Sequence, residues 1–192
     1  MANYVLWNDT QSNNECCLTD FEGVEDVFAL LAGRSLAESF PEGVRFLMDP
    51  DEPTEMLLSD SPTNTGSVIL ASQRLADFMK AQGAPAVEYL PVTVFDHKGR
   101  AVSDQFFILH PIDPVDCLDV EESEPSYSPI MEDCIEEVEQ IVLDEEKIPA
   151  DRVYFRCLNF DSVTLVRRDF AELIQQQGFG GFNWLELEDY EA

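Results

Sequence analysis

Between Ala101 and Glu146 the chain has no lysine and no arginine. The scarcity extends over all 192 residues, where 11 basic side chains face 39 acidic ones and leave a formal charge of −28. Nucleic acids and anionic membrane surfaces would be repelled by such a field, whereas a basic protein would be attracted. Charge alone also fits a generally acidic soluble surface. No apolar run approaches the ~20 residues that cross a bilayer. The opening MANYVLWNDT has neither a basic start nor a long apolar stretch, so no signal peptide is expected. The five cysteines are odd in number and form no CxxC, the pattern of thiols in a reducing cytosol. HExxH and GxSxG are absent, and Asp49, Asp51, Glu52 and Glu55 lack the spacing and glycine of a calcium loop. No catalytic, cofactor-binding or metal-ligating set is therefore assigned.

What the chain does have is enough apolar material for a core: 45% hydrophobic residues, including 13 Phe. Residues 153–187 carry the best local pattern. Val153–Phe155 and Val163–Val166 read as strands. Phe170, Leu173 and Ile174 form one helical face, Gly178 stops that helix, and Phe182–Leu187 reads as a further strand. An earlier segment matches it. Ser67–Gly83 and Ser162–Gly178 share six identities over 17 positions, and Glu88-Tyr89-Leu90 mirrors Asn183-Trp184-Leu185. Duplication and convergence both fit this match. The expected fold is α+β in a single domain, 1–192: a mostly antiparallel twisted sheet with a few short helices. It contains two similar strand–helix–strand units, 67–95 and 162–187. Residues 1–66 form an acidic, loop-rich part and residues 67–192 the core.

Further elements follow in order. Tyr4–Trp7 reads as a strand and Asn8–Thr19 as a loop. Val24, Val27, Phe28 and Leu31 predict a helix ended by Gly33. Gly43–Met48 reads as a strand, and residues 49–66 as an irregular stretch marked by Pro50, Pro53 and Pro62. Ser72 caps a helix over Gln73–Gln82. Val87–Phe95 and Gln105–His110 form a hairpin through Asp96–Gly99, and Pro91 puts the first strand at an edge or interrupts it. The run Phe106–Leu109 implies burial on both faces. Residues 111–129 read as loop; in 130–143, Ile135, Val138 and Val142 fit a helix while Val138 and Ile141–Leu143 fit a strand, and 138–143 is taken as a strand.

Several groups invite chemical readings. His110 with Asp113, Asp116 and Asp119 resembles a loose ligand set, but no second cluster supports a metal. A hydrogen-bonded connection or an exposed contact loop fits these acids better. His97 reads as a solvated turn residue. Gly178–Gly181 follows a helix rather than preceding one, so it is a cap and turn, not a phosphate cradle. Arg156, inside an apolar run, is expected to pair with a carboxylate, and Arg167 and Arg168, at a helix start, with carboxylates elsewhere.

The succession SVILASQRL, EYLPVTVFD, QFFILHPIDPVDCLD, VLDEEKIP, VYFRC and SVTLVRRDFAELIQQQGF, from about Val44 to Trp184, resembles an immunity-protein family of bacterial polymorphic toxin systems, the one named after a myxobacterial member. The chain departs from the family at Arg167, where relatives commonly place a small serine-like cap. The resemblance implies an immunity-type core and an inhibitor, not an enzyme. Such a protein binds a cognate protein toxin, encoded by the adjacent gene, in the cytoplasm. The contact is expected on the acidic stretch: Asp113, Asp116, Asp119, Glu121, Glu122, Glu124, Glu132, Asp133 and Glu136, with Tyr127 as aromatic anchor. An alternative is a nucleic-acid mimic that blocks a DNA- or RNA-binding enzyme. A third, weaker on the residues, is a metal- or carboxylate-dependent hydrolase. Monomer and dimer both fit.

Overall fold

Local signals fix where most elements begin and end in the computed structural model, which describes residues 3–131 and 133–191. In chain order they are β1 (Tyr4–Asp9), β2 (Leu18–Glu22), α1 (Val27–Leu31), β3 (Arg45–Met48), β4 (Leu70–Ser72), α2 (Gln73–Gln82), β5 (Val87–Phe95), β6 (Ala101–Pro111), α3 (Val120–Ser123), β7 (Ser126–Tyr127), β8 (Ile135–Glu137), β9 (Tyr154–Cys157), β10 (Phe160–Arg167), α4 (Arg168–Gln175) and β11 (Phe182–Leu185). One sheet has the order β11-β1-β10-β9, a second β2-β3-β5-β6-β4, and β7 and β8 form a small ribbon. Among the described residues, every pairing between these strands is antiparallel except β3 with β5. The fold is α+β, mostly sheet with a few short helices.

The two matched segments adopt the same arrangement. β4 and β5 both pair antiparallel with β6, which lies between them. β10 and β11 both pair antiparallel with β1 in the same way. In each unit a strand, a helix and a parallel strand leave a one-strand gap. A hairpin partner fills the first gap, and the start of the chain fills the second. α2 begins at Ser72, whose hydroxyl accepts from the Leu75 amide at 3.3 Å, and it ends at Gly83 with φ 68°. α4 has no side-chain cap. Its buried stripe is Phe170, Ala171 and Ile174, whereas Leu173 points outward.

Three apolar clusters follow from strand alternation. The middle one joins both helices (Leu75, Ala76, Met79, Phe170, Ala171, Ile174) to Val5, Trp7, Ile69, Ala71, Leu109, Tyr154 and Val166. Tyr4 and Leu6, one residue out of phase with Val5 and Trp7, face a second cluster with Phe155, Phe160 and Leu165. Phe106 and Ile108 face a third with Phe46, Leu70, Val92 and Val94. The run Phe106–Leu109 is thus shared between two cores, as its continuous hydrophobicity predicts. Each fully buried Leu or Phe contributes about 1.5–3 kcal/mol relative to exposure.

Three expectations change. α1 starts only at Val27, because Asp26 caps it by accepting from the Ala29 amide at 3.0 Å. Its buried residues are Ala29 and Leu30, so the periodic face Val24-Val27-Phe28-Leu31 is not the core face. The strand expected at 138–143 is instead β8, Ile135–Glu137. Residues 138–143 stay irregular because their backbone is used by α3: Asp119 N donates to Val142 O, and Ser123 Oγ accepts from Val142 N. β5 is interior in strand order, yet β3 joins it only at Thr93–Phe95. Pro91 therefore occupies a stretch bordered by β6 alone, where its missing N–H breaks no ladder.

Candidate functional site

Residues 112–149 form a cover over the β11-β1-β10-β9 sheet. Val115, Cys117, Leu118, Ile135, Val138, Ile141 and Ile148 point inward and join the cluster of Leu6, Phe155, Phe160 and Leu165. Main-chain bonds pin this cover to the sheet: Val115 N to Arg156 O (2.9 Å), Leu158 N to Val115 O (2.8 Å) and Ile135 N to Asn159 O (2.7 Å). The buried thiols of Cys117 and Cys157 touch at 3.4 Å. A segment that reads as loop is therefore a fixed layer.

Inward apolar residues leave the acids facing out. Asp113, Asp116, Glu121, Glu122, Glu124, Asp133 and Glu136 are exposed, and so is Tyr127, 54% accessible. Asp119 is half-buried, and its carboxylate caps α3 by accepting from the Glu121 and Glu122 amides at 3.1 and 3.2 Å. Glu132 lies outside the described residues. The backbone has positive φ at Asp113 (55°), Glu124 (48°) and Asp133 (62°), which turns the chain sharply at three acids. Among the described residues, none of the seven exposed acids has an ion-pair partner. Lys147 pairs with Asp144 at 3.3 Å. That hydrogen bond, with the nearby charges of Asp116 and Asp119, raises the Lys147 pKa.

Elsewhere some carboxylates are engaged. Asp60 accepts from Ser72 Oγ (2.7 Å), Arg74 Nη2 (2.6 Å) and the Gly180 amide (3.2 Å). Burial alone would raise its pKa, but these donors outweigh it and hold the group below the usual carboxylate value. The glycine turn serves this junction. Gly181 has φ 97°, and a Cβ there would sit 2.1 Å from Ser61 O. Asp96 accepts from Arg100 and from the Lys98 amide, and its pKa falls to about 2, chiefly through the Arg100 side chain. Arg168 pairs with Glu186 at 2.5 Å, a carboxylate elsewhere in the chain as expected, whereas Arg167 pairs at 2.7 Å with Asp169 in the first turn of the same helix.

Arg156 departs from expectation. It is buried, yet its Nη1 donates to the carbonyls of Leu30 (3.2 Å) and Leu31 (2.8 Å), not to a carboxylate. These are last-turn carbonyls of α1, the negative end of the helix dipole. His110 is equally buried, and its Nε2 lies 2.7 Å from Arg34 O, so Nε2 carries the proton. Burial, aided by the Arg156 charge, lowers its pKa. His110 is thus committed to a carbonyl while Asp113 and Asp116 face solvent. Among the described residues no three His, Cys, Asp or Glu side chains form a ligand set. His97, expected to be solvated, is half-buried.

Where the cover meets α1 and the β9–β10 turn, a groove of about 520 Å³ opens. Phe28, Leu31, Pro114, Met131, Cys134 and Leu158 supply half of its lining residues, and Asp26, Asp161 and Arg34 sit among them. Sequence reading missed this feature. Its walls come from three distant segments, and the spacing of Phe28 assigns that residue to the core.

The immunity protein family Imm11 matches residues 10–189. The match extends beyond the motifs between Val44 and Trp184 and takes in most of the preceding segment. No curated protein matches the chain.

Proposed function

The chain belongs to the Imm11 immunity protein family, and on that premise we propose that it neutralises a cognate bacterial toxin by holding it against the acidic cover, residues 113–136. One observation supports this reading above the others: seven carboxylates stand exposed and, among the described residues, without ion-pair partners on a layer whose other side is locked into the core. Fixed like charges in solvent attract a basic surface at range and raise the association rate by ~10–10³-fold. Carboxylates desolvated against basic partners then add affinity. Tyr127 can bury its ring in the contact while its hydroxyl stays hydrogen-bonded. The protein acts as an inhibitor and needs no catalytic group. In this reading it works in the cytoplasm, where free thiols are stable, on the product of the adjacent gene.

The test is a pull-down of the adjacent gene's product, with survival of cells that express it. Binding and protection by the wild-type chain, both weakened by reversing Asp116, Glu121 and Glu122 to Lys, are the expected results. Neither binding nor protection would sink the reading. The same unpaired carboxylates are also what a nucleic-acid mimic would present. Inhibition of several unrelated DNA-binding enzymes would favour that alternative, and strict specificity for one toxin would remove it.

A further inference from the structure

The acidic cover explains attraction but not tight retention. Long-range charge mainly sets the rate of encounter, whereas slow release depends on apolar groups buried at the centre of a contact. Resting on the immunity reading, we propose that the groove between α1, the β9–β10 turn and the cover receives one bulky apolar side chain carried on a basic segment of the toxin.

The position of exposed apolar residues supports this. Phe28 is 64% accessible, Leu158 42% and Met131 37%, and all three line the same concavity. Ile130, adjacent to Met131, is 91% accessible. Grouped exposed apolar residues mark contact surfaces, whereas scattered ones do not. Other exposed apolar side chains, such as Leu57 and Leu173, belong to other parts of the chain and do not line this groove.

The groove is also preformed. Arg156 holds the last carbonyls of α1. His110 holds Arg34 O, and the Asp113 amide donates to Gly33 O at 3.1 Å. Ile135 N to Asn159 O ties the cover to the opposite wall. The buried arginine, bonded to these carbonyls, thus fixes one side of the groove. A rigid receptor loses little entropy when it is filled.

Charge identifies the occupant. Asp26 and Asp161 outnumber Arg34 in the lining, and the charges of Asp161 and Glu136, after burial, raise the Cys134 pKa at the same place. An apolar group flanked by Lys or Arg is attracted, and a second copy of this chain, at −28, is repelled.

The experiment compares purified wild-type chain with Phe28→Ser, Leu158→Ser and the distant control Leu57→Ser. Each is measured for association and dissociation with the purified product of the adjacent gene. Phe28→Ser and Leu158→Ser are expected to speed dissociation by ~10-fold or more at unchanged association, and Leu57→Ser to leave both rates alone. A second readout needs no substitution: alkylation of Cys134, which lines the groove, should slow by ~10-fold or more in the complex, measured against Cys17. Wild-type binding with unchanged dissociation in both groove variants and unprotected Cys134 would overturn the groove assignment and leave the acidic-face reading standing. Failure of the wild-type chain to bind would overturn both. Self-association of the wild-type chain that Phe28→Ser abolishes would assign the groove to a second copy instead.

Discussion

Asp60 and Asp116 are chemically the same and sit in opposite surroundings. Asp60 accepts from a hydroxyl, a guanidinium and an amide, and it joins the first strand–helix–strand unit to the glycine turn of the second. Asp116 is exposed and has no ion-pair partner among the described residues. The same two kinds of surroundings recur along the chain. In the scaffold a few acids meet the few available bases: Asp96 with Arg100, Asp169 with Arg167, Glu186 with Arg168. On the cover they face solvent beside a single lysine, Lys147. The few bases of the scaffold hold some of its acids in place, and the cover concentrates exposed acids on one layer where another molecule can reach them.

Substitutions can break this comparison, beginning with the inner face of the cover. Leu118→Ala is expected to destabilise the fold by about 2–5 kcal/mol, as a buried leucine in a packed layer does. Denaturant melts would check it. A cost under about 1 kcal/mol would mean that the cover is a loosely attached loop and the comparison fails.

Asp60→Asn comes next, at about 2 kcal/mol, because hydrogen bonds to a charged group each contribute about 1.5–3 kcal/mol and Arg74 is itself well exposed. Asp116→Asn in the same assay is expected to change stability by less than about 0.5 kcal/mol. Equal effects would erase the distinction between the two regions.

A smaller effect separates His110 from the acids. Its folded pKa is lowered from the ordinary histidine value of 6.5. Below that value the unfolded chain takes a proton that the folded chain resists. The contribution of neutral His110 is therefore fully present above pH ~6.5 and is lost as pH falls below it. His110→Gln should flatten the stability profile between pH 7.5 and 5.5. An unchanged slope would refute the assignment.

The smallest effect on stability, and the largest contrast with function, belongs to the outer face. Replacing Glu121, Glu122 and Glu124 together by Gln should shift stability by no more than about 0.5 kcal/mol, since lost helix-dipole interactions and relieved repulsion oppose each other. Capture of the toxin should slow by ~10-fold at low salt, with a shallower salt dependence. Stopped-flow association rates would measure it.

Much of the scaffold was legible because its signals are local. Ser72 and Gly83 bracket α2, and Asp96–Gly99 marks the β5–β6 turn. The cover was not legible. Ile135, Val138 and Ile141 are buried at a spacing of three without being helical. Their backbone is tied to α3 and to the β9–β10 turn, so the periodicity of an isolated element does not apply. Arg156 was readable as a buried base in need of acceptors, but not as a base satisfied by carbonyls 125 and 126 residues away.

The sequence by itself determined the charge imbalance, the two matched units and the family motifs, because composition, caps and short periodicities act within a few residues. Tertiary structure decided that β1 and β6 fill the gaps in those units and that the acidic segment turns its carboxylates outward. It also drew three distant segments together around one groove. These outcomes depend on which apolar faces meet across the chain, and such contacts form only when the whole chain folds.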